Sequence, residues 1–95
     1  MDPQTTYAWI LLAVPTAGAP IETVRSRAEM LNKASPSERE LHDSIAWLRE
    51  HGFLDASEGG VRYTVAGEQL VAEEWTNDSM YETWSRVARR LALVR

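Results

Sequence analysis

Apolar and polar positions along the chain fall into blocks of different period, and each block predicts an element. From about Gln4 to Val14 the residues are apolar on most sides, the pattern of a helix enclosed by its neighbours. Pro15 to Pro20, reading PTAGAP, breaks that run. Pro20 suits the first position of a second helix, whose face is Ile21, Val24, Ala28 and Leu31. Asn32 to Ser35 closes it. The next segment, Ser35-Pro36-Ser37-Glu38, predicts a capping box with proline at the first helical position. In that box the Ser35 hydroxyl accepts from the backbone N–H of Glu38, and Glu38 reaches back to the N–H of Ser35. Leu41, Ile45 and Leu48 then form the core stripe of a third helix. Gly52 follows His51 and suits the left-handed residue that ends a helix.

After Gly52 the period changes to two. Phe53 and Leu54 begin a short strand, and Asp55 to Gly60 is rich in turn residues. Val61, Tyr63 and Val65 alternate with Arg62 and Thr64, which predicts the returning strand of a hairpin. Thr64 caps a fourth helix entered at Ala66-Gly67 and continued by Leu70, Val71 and Trp75. Thr76 to Ser79 is a break or a fresh cap. Met80, Trp84, Val87, Leu91 and Val94 follow at heptad spacing and predict a last helix with one apolar seam.

Helix, helix, capped helix, glycine-tipped hairpin, helix is the order of a winged helix-turn-helix. The segment from Ser35 to Leu41, continued by Ile45, Leu48 and Gly52-Phe53-Leu54, resembles the recognition-helix segment of many bacterial winged-helix regulators. Tyr63-Thr64-Val65-Ala66-Gly67, followed by Leu70, is similar to the entry into the helix after the wing in PadR-like and MarR-like families. The resemblance spans about Ile21 to Trp75. It departs at Val65, where a proline is usual, and at Tyr63, where a leucine is usual. It implies an α+β, mainly α fold: a three-helix core, a two-stranded β-wing and an additional C-terminal helix. On this reading residues 1–95 form one domain, with the core at about 4–75 and the C-terminal helix at about 79–94.

Composition agrees with a folded chain. With 95 residues, 44% of them apolar and 25% charged, the chain suits a single globular domain. It contains no cysteine, which excludes a disulfide scaffold, a thiolate zinc site and a cysteine nucleophile. A reducing cytoplasm is compatible with this, and cytoplasmic localisation is expected. Tyr7 to Pro20 has the apolar character of a signal peptide, but Asp2 stands where a positive n-region belongs. The run is also too short to span a bilayer, so no membrane partner is expected.

Charge complicates the functional picture. The net charge is −4, but residues 36–60 carry −4, residues 61–79 carry −3, and residues 80–95 carry +3. If the third helix enters a DNA major groove, its outer face offers Arg39, Asp43, Ala46 and Glu50, flanked by Glu40 and Trp47. One arginine against several carboxylates is a poor match to phosphate. Other cations supplement it: Lys33 at the preceding turn, Arg62 on the wing, and Arg25 and Arg27 on the second helix. The DNA-binding candidates are therefore Lys33, Ser35, Ser37, Arg39 and Arg62. Two functions stay open. One is a transcriptional regulator that binds double-stranded DNA as a homodimer. The other is a winged-helix protein-interaction module, with the acidic third helix and Trp47 on a protein partner. Trp47 equally suits packing against the wing or the last helix.

The terminal seam of Met80, Trp84, Val87, Leu91 and Val94 is the candidate dimer interface. It also suits packing on the first helix of its own chain. Arg86, Arg89 and Arg90 lie beside it, as an acidic-partner or nucleic-acid surface or as solvated charge that complements the helix dipole. The chain is not expected to be an enzyme. It has no glycine-rich phosphate loop, paired-histidine zinc motif or serine elbow. His42 and His51 point to different sides of one helix, and Glu38, an i, i+4 neighbour of His42, is better explained as a cap. No metal or cofactor is expected.

Overall fold

The computed structural model describes residues 2–94; Arg95, part of the basic tail, lies outside them. The described residues form α1 (Pro3–Ala13), α2 (Ile21–Asn32), α3 (Glu38–Glu50), β1 (Leu54–Ser57), β2 (Gly60–Tyr63), α4 (Val65–Glu74) and α5 (Met80–Ala92). The fold is α+β and mainly helical.

α1 is the central element. Asp2 caps it, accepting from the Thr5 backbone N–H and the Thr5 hydroxyl, and Pro3 opens the first turn. Every residue from Ala8 to Val14 is buried. The run shows no polar side because α2, α3 and α5 all pack on it. Side chains from elsewhere hold its backbone. Trp9 Nε1 donates to Ala28 O, and Trp84 Nε1 donates to Thr5 O, both at 2.8 Å. At the other end Tyr63 Oη donates to Leu11 O and Arg27 Nε donates to Ala13 O, both also at 2.8 Å. The last carbonyls of a helix lack partners within it; Arg27 supplies one for Ala13 O, and Tyr63 adds a second donor to Leu11 O, which also accepts from the Val14 N–H at 3.3 Å.

Pro20 stands one position earlier than expected, as the N-cap of α2 with extended backbone, and the helix begins at Ile21. The cause is tertiary. Ala19 is bridged to Val61 of β2 by hydrogen bonds of 2.9 and 2.8 Å, which holds the chain extended up to Pro20. At its other end α2 closes on Lys33, in the left-handed region at φ 53°.

The capping box of α3 lies two positions beyond the expected one. Ser37 is the N-cap: its Oγ accepts from the Glu40 N–H at 3.0 Å, and Glu40 Oε1 accepts from the Ser37 N–H at 2.9 Å. The sequence holds two overlapping boxes, Ser35 with Glu38 and Ser37 with Glu40. Contacts to α2 select the second. The Ser35 hydroxyl donates to Glu29 of α2, and Glu38 is held by Arg25 of α2. Leu41, Ile45 and Leu48 face the core as expected, and Gly52 ends the segment at φ 83°.

The hairpin turn is tighter than Asp55 to Gly60. Leu54 pairs with Tyr63, Asp55 with Arg62, Ala56 with Val61 and Ser57 with Gly60, which leaves Glu58 and Gly59 as a two-residue loop. Asp55, Ala56 and Ser57 are therefore strand. A Cβ on Gly60, at φ 120°, would run into the backbone of Ala19. Glycine there permits the Ala19–Val61 bridge, which sets the segment before α2 beside β2 in a third-strand position.

Thr64 caps α4 and Ser79 caps α5. Thr83 is buried, donating to Thr76 O and accepting from the Thr76 N–H, and so ties down the turn between them. On α5, Trp84, Val87 and Leu91 are buried in their own chain, chiefly by α1. Met80 and Val94 are partly buried. α5 thus belongs to the core rather than being appended to a core that ends near residue 75. Among the described residues, no helix is long and apolar enough to cross a membrane.

Candidate functional site

Four of the five residues expected to meet DNA lie together at the N-terminal end of α3. Lys33 closes α2, Ser35 lies in the turn, Ser37 caps α3, and Arg39 follows in its first turn. All four are exposed. The Ser35 hydroxyl hydrogen is spent on Glu29. Ser37 Oγ accepts from Glu40, which leaves its own hydroxyl hydrogen free to donate. The Arg39 side chain is 89% exposed and lies 3.9 Å from Asp43, the looser limit of an ion pair. Arg62 is apart from this group, exposed on β2 beside Gly18 and Ala19.

The carboxylates of α3 are less free than the sequence suggests. Glu38 is paired with Arg25 and lies 3.3 Å from His42 Nε2. The Arg25 guanidinium, with a smaller contribution from His42, holds its carboxyl below the usual range. Glu40 is turned onto the Ser37 backbone. Asp43 leans toward Arg39. Glu50, at the far end of the helix, forms no ion pair among the described residues.

The cations divide in the same way. Arg25 is committed to Glu38 and Glu22. Arg27 is exposed, but its Nε is committed to Ala13 O. On α5, Arg86 Nε donates to Glu74 at 3.1 Å, and Arg90 Nη1 donates to Glu74 at 2.6 Å and to Glu73 at 3.1 Å. These two arginines hold Glu74 below the usual carboxylate range. They repay acidic residues of α4 rather than presenting a basic tail. Among the described residues, Lys33, Arg49, Arg62 and Arg89 have no carboxylate at ion-pair distance.

Family models, curated proteins and solved structures give no match to this chain. The site therefore rests on its own geometry.

Trp47 is half-buried at the edge of the core. Its ring stacks on Tyr7 of α1, with centroids 4.5 Å apart, and on His51 at 4.0 Å. His51 Nδ1 also lies 2.9 Å from Trp47 O. Tyr7 and Trp47 are forty positions apart in sequence, so no local signal announces this stack. The same is true of Arg25 in the middle of α2 and Glu38 at the start of α3. Among the described residues, no three His, Cys, Asp or Glu side chains gather as a metal would require.

Two grooves also flank the core. One, of about 420 Å³, is lined by Leu12, Val71, Met80 and the half-exposed Trp75. The other, of about 510 Å³, runs between α1 and the outer side of α5. Neither is visible as a sequence motif, since each combines residues from distant elements.

Proposed function

We propose that the chain is a winged-helix domain that binds double-stranded DNA, with α3 in the major groove and the β1–β2 hairpin, the wing, against the neighbouring backbone. Three core helices, the hairpin and the third-strand position of Ala19 support the fold. One observation carries the function. Lys33 and Arg39 stand exposed at the leading end of α3, where Glu38 is paired with Arg25, Glu40 is turned onto the Ser37 backbone, and Asp43 approaches Arg39 no closer than 3.9 Å. The engaged carboxylates leave the two cations available to phosphate.

The size of the effect follows from the charge count. With Arg62, three cations are available. Neutralising about three phosphates gives a log–log salt slope near −2.7, so a rise from about 50 to 200 mM salt weakens binding roughly 40-fold. Fluorescence anisotropy with a labelled duplex tests this. Binding with that salt dependence, and a slope shallower by about one in Arg39→Ala, supports the reading. No binding at about 50 mM salt overturns it.

A second reading is a winged-helix module for a basic protein partner. It is favoured by the charge of α3, its preceding turn and the wing together. Glu38, Glu40, Asp43, Glu50, Asp55 and Glu58 outnumber Lys33, Arg39, Arg49 and Arg62 there. An acidic surface of this kind selects cationic partners and repels phosphate. The same titration separates the two, since this reading predicts no affinity for any duplex.

A further inference from the structure

The apolar seam of α5 is spent on α1, but the helix has a second face. Tyr81, Ser85 and Ala88 follow Met80, Trp84 and Val87 one position later, which turns them about 100° around the helix. This face borders the groove of about 510 Å³, whose opposite wall includes Asp2 and Thr5. Tyr81 is 76% exposed. Its ring lies nearly parallel to that of Trp84, 6.0 Å away at 9°. Exposed tyrosines beside a recess are favoured anchors of protein contacts, because they bury large area at low entropic cost.

The charges on this face say which partner fits. Arg86 and Arg90 are bound to Glu73 and Glu74. Arg89, between them in sequence, is exposed on the groove rim with no carboxylate at ion-pair distance among the described residues. Asp2 lines the same groove. Its Oδ1 takes both Thr5 donors, and those hydrogen bonds keep it ionised by holding its carboxyl below the usual range. One face therefore carries a projecting ring, a recess, a free cation and an anion. A ligand of one charge sign satisfies half of it. A copy of the same face, turned by a twofold axis, satisfies all of it, since in such a contact residue i meets j and j meets i.

We propose that this face is the contact between two copies of the chain. Tyr81 of each enters the groove of the other, and Arg89 of each meets Asp2 of the partner subunit. The interface is α5's outer face, not the heptad seam. The inference stands apart from DNA binding, and neither depends on the other.

Sedimentation velocity from about 1 to 200 µM protein, the range of a modest interface, tests it. The expected result is a dimer. Arg89→Glu and Asp2→Lys should each weaken it at least about tenfold by placing like charges together. The double variant Asp2→Lys/Arg89→Glu should restore it. Tyr81→Ser should be monomeric. Circular dichroism confirms that each variant is folded. Asp2→Lys also removes the α1 cap, so if it unfolds, Arg89→Glu and Tyr81→Ser decide. A wild-type chain that stays monomeric throughout, or a monomer that instead takes up a peptide or small molecule in this groove, overturns the proposal. So does a dimer indifferent to Arg89→Glu or Tyr81→Ser, or a folded double variant that stays monomeric.

Discussion

Tyr63 joins the hairpin to the central helix through one hydroxyl, donated to Leu11 O. Burial pushes its phenol up to about 12, because the phenolate would lose its water. Nearby Arg27 and Glu68 act in opposite directions and matter less. The folded state thus holds the proton more tightly than the unfolded chain, whose tyrosine titrates near 10. Stability from this group is complete below pH 10 and falls as the pH climbs from 10 toward 12. Urea unfolding followed across that window should show the decline. Tyr63→Phe should flatten the part due to this group, and at neutral pH should cost about 1 kcal/mol for the lost hydrogen bond. The burial that sets this behaviour was only half legible: alternation marked Tyr63 as inward-facing, but not which carbonyl its hydroxyl would find.

At the scale of the element, the α2–α3 connection shows how tertiary contacts choose between local options. Ser35-Pro36-Ser37-Glu38-Arg39-Glu40 offers two capping boxes of equal quality by pattern. The first would require Glu38 to face its own backbone, yet Arg25 attracts it across the turn. Ser35 is likewise drawn to Glu29. Ser37→Ala should therefore cost about 1 kcal/mol of stability in urea unfolding, while Ser35→Ala should cost a few tenths, at roughly the value of an exposed hydrogen bond. The reverse order would place the cap back at Ser35. The Thr64 cap of α4 was legible directly, whereas the cap of α5 was legible only as one of Thr76 to Ser79, all of them cap-type residues, of which Ser79 serves. The hairpin was legible as a hairpin but not in register, because Asp55 to Ser57 carry turn-type residues that the Ala19–Val61 bridge and the pairing of β1 with β2 keep extended.

At the scale of the whole molecule, α1 and α5 come from opposite ends of the chain and form its principal helix contact. Trp9 and Trp84 stack across it with ring centroids 6.0 Å apart, and Val87 and Leu91 are fully enclosed. Leu91→Ala should cost about 2–5 kcal/mol, a large part of the roughly 5–10 kcal/mol available to a domain of this size. The Tm loss relative to the wild type should be the same at every protein concentration, because the seam is internal. A Tm loss that disappears at high concentration would mean that a second copy supplies the contact. Two further links tie consecutive helices together, Arg25 of α2 to Glu38 of α3 and Arg86 and Arg90 of α5 to Glu74 of α4. The acidic middle and the basic end of the chain thus partly cancel within the fold.

The sequence alone determined the number and type of the elements, the buried faces of α2 and α3, and the glycine at the end of α3. Each depends on spacing, on a cap or on a backbone angle, and those act within a few residues. It also marked α5 as having one apolar seam. Which surface would cover that seam was beyond it, since the same heptad pattern serves α1 of its own chain or a helix of another copy. The fold decided that, along with the position of the α3 cap, the commitment of Arg25, Arg86 and Arg90, and, among the described residues, the absence of a carboxylate partner for Lys33, Arg49, Arg62 and Arg89. Each of these is a choice between partners far apart in sequence. Local pattern gives such partners equal claims, and only their distances in the folded chain separate them.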